Sequence, residues 1–447
     1  MRGEEESLVL WRNGFQHIGS SPCLSVMLGD LRVSLIVIFV GIPRLRYLLH
    51  MAIPSTIDHD PARWRALALL STAVSLGMSL WFAASAVAPE LGARWGLTSP
   101  EMGGFTSLVQ LGFVFGTATL AILNVGDLVS APRLFTLSAL IGAAANTLLL
   151  VAPTYGWALA SRALTGFALA GVYPPAMKMV ATWFRSARGF AVGVLIGALT
   201  LGKSMPYLVH ALDLGEVPVV WSATVSAVVA AVLVGVFYHE GPYPFPSRPF
   251  HWGLMGEVLR ERKWRLATGG YLGHMWELYA MWAWLPVFLS AGAVGRWGGG
   301  TANLLAFAAI AIGGAGCVWG GWWADRHGRE RLVMIAMAAS GTCALLIGPL
   351  SAVGWWLSAL VALTWGFFVI ADSAQFSTMV TESVPPHAVG TALMVQTSIG
   401  FLLTMASIQL IPMAVEWVGW RWAFAVLAVG PALGIESIRR LRVREVT

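Results

Sequence analysis

Apolar stretches of about 20 residues recur along this chain, each long enough as a helix to cross roughly 30 Å of hydrocarbon. They fall near 66–89, 104–124, 134–152, 157–181, 189–211, 218–238, 267–290, 301–323, 332–350, 355–379, 389–413 and 419–437. In a bilayer core no water satisfies backbone N–H and C=O groups, so each stretch has to be a helix. Twelve of them leave little of the 447 residues for anything else. Only 11% of residues are charged and 57% are hydrophobic, whereas soluble domains carry about 25% charged residues. The mean hydropathy of +0.71 agrees. These features exclude a water-soluble globular protein and define an all-α membrane protein with twelve transmembrane helices.

Most connections are short, so consecutive helices are antiparallel neighbours. The longest central connection carries Pro242, Pro244, Pro246 and Pro249, then a charged run from Glu257 to Arg265. This divides the chain into an N-terminal extension (1–62), six helices (63–238), a cytoplasmic linker (239–266), and six further helices with a tail (267–447). Basic residues set the orientation. With the start of the first span inside, cytoplasmic segments hold Arg63, Arg65, Arg133, Lys178, Arg185, Arg188, Arg248, Arg260, Arg262, Lys263, Arg265, Arg326, Arg329, Arg331, Arg439, Arg440, Arg442 and Arg444. Outer loops hold only Arg94, Arg296 and Arg421. Both termini are therefore expected on the cytoplasmic face of a plasma membrane, in bacteria the inner one. The net charge of +6 marks topology and not nucleic-acid binding. Cys23, Cys317 and Cys343 are too far apart in sequence to read as a metal or redox pair. The first 50 residues stand outside the pattern. Their one apolar run, Val33 to Val40, is too short to span; it reads as translated sequence upstream of a start at Met51, with a signal-peptide core that lacks a small-residue cleavage site as the rival.

One local motif is sharp: Gly321-Trp322-Trp323-Ala324-Asp325-Arg326-His327-Gly328-Arg329-Glu330-Arg331, between spans 8 and 9. Gly321 permits close helix packing and Gly328 a tight turn. Asp325 stands at a helix end, where it can pair with arginines of the turn or cap a neighbouring helix. Such a loop can latch two helices in one conformation and release them in another. The matching place between spans 2 and 3 keeps Asp127 and Arg133 but has lost the glycine–arginine turn. Span 4 carries Arg162 and, four residues on, Gly166. The Asp325 loop resembles the signature loop of the major facilitator superfamily, and span 4 resembles that family's fourth-helix motif. The resemblance covers residues 63–445. It implies two pseudo-symmetric six-helix bundles, alternating access and secondary active transport of a small molecule, with no cofactor or metal and a monomeric state. The run Trp81-Phe82-Ala83-Ala84-Ser85-Ala86-Val87-Ala88-Pro89 is nearest in wording to the cyanate and nitrate/nitrite porter branch. Nitrate porters, however, place an Arg in helices 2 and 8, where spans 104–124 and 301–323 have no basic residue, so nitrate is not the expected solute. Ala198 stands where many drug antiporters have Pro, which tilts the reading from efflux of organic compounds toward uptake.

Inside the spans four full charges remain: Arg162, Lys203, Glu277 and Asp372, with His274 beside them. Each would cost roughly 2.5–3.5 kcal/mol or more facing lipid at the bilayer centre, so each must face a cavity or a partner. By helix rise, the two acids and His274 share one level and the two bases an outer one. His274 and Glu277, three residues apart, share a helix face, and an imidazole beside a carboxylate suits proton relay, with Asp372 as a further member. Arg162 either ties span 4 to its neighbours or serves gating or anion binding. Gly202, Ser204 and Pro206 around Lys203 predict a locally opened helix that lets the ammonium hold an anion, with snorkelling to the interface as the rival. Trp81, Gln110, Trp276, Trp282, Trp365, Gln375 and Gln396 are further lining candidates. No intramembrane protease or hydrolase set is present, so an enzyme is not expected. A transporter-like sensor stands as the alternative from another class.

Overall fold

The computed structural model describes residues 60–184, 187–243, 251–292 and 298–443, the side chains at 126, 127, 386 and 443 excepted. The chain divides into two compact units, Met1–Ala62 and Arg63–Thr447. The extension and the start at Met51 lie outside the described residues.

The described chain is helical throughout, with no strand among those residues. In the first half, α1 runs Ala62–Met78 and resumes as Ala83–Ala86 and Ala88–Trp95. α2 is Ser99–Ile122, α3 Ala131–Val151, α4 Tyr155–Leu169 with Tyr173–Ala181, α5 Arg188–His210 and α6 Glu216–Phe237. In the second half, α7 is Arg262–Ala291, α8 Gly299–His327, α9 Arg329–Ser351, α10 Trp355–Phe368 with Ser373–Ser383, α11 Val389–Val418 and α12 Trp420–Arg442. A nine-residue helix, Trp252–Arg260, lies in the central connection.

Nine of the described spans cross on length and apolar composition alone. The other three depart for physical reasons. α7 is diluted by Arg262, Lys263, Arg265, His274 and Glu277. α1 and α4 are broken. In α4 the break at 170–172 precedes Pro174 and Pro175, which cannot donate to the preceding turn. α10 is also broken, at Val369–Asp372, without a proline. Breaks at membrane depth are tolerated only where protein supplies the missing partners. In α1 it does: the carbonyls of Leu80 and Trp81, freed by the break, both accept from Arg162.

The solvent pattern is that of a bilayer. Val225, Val228, Val232 and Val236 of α6 and Leu360 of α10 are exposed, while charged side chains inside the spans are buried. Lipid, not water, covers those valines. The two bundles, α1–α6 and α7–α12, meet along α5 with α8 and along α2 with α11. At the first seam Gly197 and Gly314 sit so close that a Cβ on either would lie about 3 Å from the other's carbonyl oxygen (2.9 and 3.0 Å). At the second, Thr404 donates to Gln110.

Candidate functional site

Between the bundles lies a cavity of about 810 Å³. It starts at the end that bears the basic loops, where Asn124, Lys178, Arg188, Asp325 and Arg329 line it, and reaches inward to Trp81, Lys203, Tyr279, Trp282 and Phe401. Beyond that level the bundles close. Tyr207 of α5 donates to the Trp282 carbonyl of α7 at 3.5 Å. At the far end His210 of α5 lies 2.6 Å from Glu90 and, through its other ring nitrogen, 2.8 Å from Asn303 of α8. Arg94 pairs with Glu216 nearby.

Lys203 is 2% exposed at the closed end. Its helix is not opened: α5 is continuous from Arg188 to His210, correcting the expectation from Gly202, Ser204 and Pro206. Gly202 instead allows α5 to touch the Ser75 carbonyl of α1, where any Cβ would collide. The ammonium donates to the Tyr279 hydroxyl of the opposite bundle. It also stands 4.1 Å from the ring centre of Trp81, 4.6 Å from Tyr279 and 5.4 Å from Trp282. Cation–π attraction of this kind contributes about 0.5–2 kcal/mol per ring, most when desolvated. Among the described residues no carboxylate pairs with it.

Of the other predicted site residues, Gln375 and Gln396 line the cavity, as do Trp81 and Trp282. Arg162, His274, Glu277 and Asp372 do not; they are buried inside the bundles. Arg162 donates to Asn146 at 2.9 Å and to the two α1 carbonyls at 2.7 and 2.9 Å. Asn146 in turn donates to Val220 and Thr224 of α6. One guanidinium thus fastens α1, α3 and α4, with α6 attached through the amide.

The structure separates His274 from Glu277. His274 lies 2.9 Å from Asp372, which sits in the break of α10. Phe376 and Tyr271 pack on its ring. Glu277 turns instead into the second bundle, accepting from Ser340 and Trp365 at 2.7 Å each. Of the remaining candidates, Gln110 holds Thr404 and Trp276 donates to Val426. The residues not singled out in the sequence were Tyr279, Phe113, Phe401 and Asn146. Tyr279 lies three residues from Trp276 and from Trp282 on one face of α7, a spacing that could have found it.

The loop at 321–331 is as tight as helix geometry permits. Gly328 alone separates α8 from α9, with φ +92°, a conformation that side chains rarely adopt. Arg326 lies 4.2 Å over the Trp322 ring. Arg329 pairs with Glu382 of α10 at 2.7 Å, and Arg331 is exposed. Asp325 does not pair with the arginines of the turn. Its carboxylate faces Gly189, in the first turn of α5, where a Cβ would lie 3.6 Å away, and it has no ion pair among the described residues. A Cβ on Gly321 would lie the same distance from the Gly189 carbonyl oxygen. The loop therefore spans the mouth between the two bundles. In the first half, Arg133 is exposed at the start of α3, and the Asp127 side chain lies outside the described residues.

Solved structures that share this architecture include three transporters. A bacterial homologue of the human lysosomal transporter Spinster, in an inward-facing and occupied conformation, superposes with a TM-score of 0.65 at 13% identity, covering 86% of this chain and 98% of its own. A mutant form of the nucleoside transporter NupG gives 0.65 at 15%, covering 84% and 99%. The human organic anion transporter MFSD10 (TETRAN) gives 0.64 at 15%, covering 85% and 100%. At these identities the likeness establishes the fold alone. No curated protein matches the sequence. A sequence model of the Major Facilitator Superfamily matches residues 69–408. The chain belongs to the major facilitator superfamily: it is an integral membrane transporter and not an enzyme.

Proposed function

We propose that the protein carries a small anionic solute across a bacterial plasma membrane by alternating access, with uptake driven by protons. The observation that carries this reading is Lys203, a buried cation without a carboxylate partner at the closed end of a cavity between two bundles. A buried charge is costly unless something pairs with it, and a solute anion is what the site leaves room for. The resemblance of span 1 to an anion-handling branch supports the same charge sign. The basic loops, placed in the cytoplasm, make this an inward-open conformation with both termini inside.

The ammonium bridges the bundles through Tyr279. An arriving anion competes for that ammonium and so acts on the contact between the halves. In the opposite conformation the His210–Asn303 contact between the bundles parts. A ligand shifts such an equilibrium only by binding one state better than the other.

The proton site in this reading is His274 with Asp372. The pair is buried, and Asp372 lies in the α10 break three residues before Gln375 in the cavity wall. One anion and one proton together move no net charge. Glu277, held by two donors away from the cavity, fastens the second bundle.

The test is flux into proteoliposomes of a labelled sulfonate, which cannot leak through as a neutral acid. Wild type should accumulate it under an acid-outside gradient. Asp372→Asn should lose accumulation and keep exchange. Accumulation that survives Asp372→Asn removes the proton site from the account. Flux that survives Lys203→Gln removes the anion site.

A further inference from the structure

Lys203 fixes the sign of the solute, and the groups around it say more. Five aromatic side chains form the wall beside it, their ring centres in close contact. Trp81 lies 5.2 Å from Phe113 and 5.7 Å from Phe401, and Tyr279 lies 5.3 Å from Phe401. Trp282 completes the set at 5.3 Å from Tyr279. A ligand head has to match the hydrogen-bonding groups that the protein leaves unused. Two of these are the indole N–H groups of Trp81 and Trp282, both buried and without a partner. The Gln396 amide N–H and the Thr117 hydroxyl are also unpartnered, elsewhere on the cavity wall. The two indoles, 4.1 and 5.4 Å from the ammonium by their ring centres, can only donate. Beside an ammonium, they call for a head that accepts.

We infer that the solute is an aromatic monoanion: one carboxylate or sulfonate on a flat ring, the head on Lys203 between the two indoles and the ring against the aromatic wall. This rests on the reading of Lys203 as the solute site. Three alternatives fit less well. A dianion would bring a second charge to a level where Lys203 is the sole cation among the described lining residues, the others standing at the mouth. An amine or zwitterion would bring donors to a site already rich in them. A small inorganic anion would exchange its hydration for one ammonium and make no use of the aromatic wall. A ring gains both area burial and edge or face contacts with the wall.

The experiment is thermal unfolding of the detergent-purified full-length protein with benzoate, benzamide, acetate, nitrate or phthalate, because a ligand at free concentration c that binds only the folded state stabilises it by RT ln(1 + c/Kd). Benzoate should bind at least tenfold more tightly than acetate, nitrate, phthalate or the uncharged benzamide. Trp282→Phe, which keeps a ring and removes the N–H, should weaken benzoate about fivefold. Lys203→Gln should abolish its effect. If acetate or nitrate matches benzoate and Lys203→Gln abolishes both, the anion site stands and the aromatic class falls. If benzamide matches benzoate, the charge reading falls with it. If no anion stabilises the wild type, both fall. The wild-type panel decides the class even should Lys203→Gln fail to fold.

Discussion

Arg162→Met is the substitution whose cost can be worked most directly from the structure. The side chain is fully buried and donates to three acceptors: Asn146, Leu80 and Trp81. Hydrogen bonds to a charged group contribute about 1.5–3 kcal/mol each, and an orphaned buried acceptor costs about 1–3 kcal/mol. Against this stands the relief of a desolvated guanidinium, itself several kcal/mol. Hydrogen bonds between membrane helices also average only about 0.6 kcal/mol by double-mutant cycles. The terms leave a net loss of about 3–5 kcal/mol, because three neutral buried acceptors lose their donor. That corresponds to a fall in unfolding temperature on the order of 5–10 °C. Arg162→Lys keeps the charge but loses the planar fork, and should fall between. The assay is thermal unfolding in detergent, run with Asn146→Ala and the double variant. If Arg162 is a fastening, the double variant should lose little more than Arg162→Met alone, because both changes break one network. An Arg162→Met protein with wild-type unfolding temperature would refute the reasoning. So would strict additivity with Asn146→Ala.

Three further outcomes follow from the same structure. Gly166→Val should abolish folded yield on size exclusion, because any Cβ there collides with the Val109 carbonyl where α2 and α4 touch; normal yield would show the helices can separate freely. Asn303→Ala should loosen the closed end by about 1 kcal/mol, the worth of one hydrogen bond, seen as a longer-distance population between spin labels at Leu214 and Gly299; an unchanged distribution would remove His210 from the gate. Glu277→Gln should lower the unfolding temperature yet leave pH-gradient-driven uptake in place; loss of that uptake in a folded variant would return the proton site to Glu277.

The membrane fold was legible because hydrocarbon permits few alternatives. Length, apolarity and basic loops together determine where helices cross. The broken helices were only partly so. Pro174 and Pro175 announce the break in α4, but α1 breaks over Ser79–Phe82 and α10 over Val369–Asp372 with no such signal. Those breaks depend on partners distant in sequence, Arg162 for one. The charged residues were legible as a set and not as pairs. His274 and Glu277 share a face at a spacing of three, yet their side chains diverge, one to Asp372 and the other to Trp365 and Ser340. Arg329 of the loop reaches Glu382, which lies over 50 residues away in sequence. Gly202 looked like a sign of an opened helix and is a helix-contact glycine. Tyr279 was hidden by abundance, since in a chain with 22 Trp, 20 Phe and 8 Tyr an aromatic residue carries little information.

The central claim is alternating access around Lys203. Counterflow tests it without any imposed gradient. Proteoliposomes loaded with unlabelled benzenesulfonate, which stays ionised and does not leak as an acid, are diluted into a trace of the labelled compound. The wild type should show a transient overshoot of label inside and Lys203→Gln none. Entry that rises only to equilibrium in the wild type, or an overshoot that persists in Lys203→Gln, would contradict it.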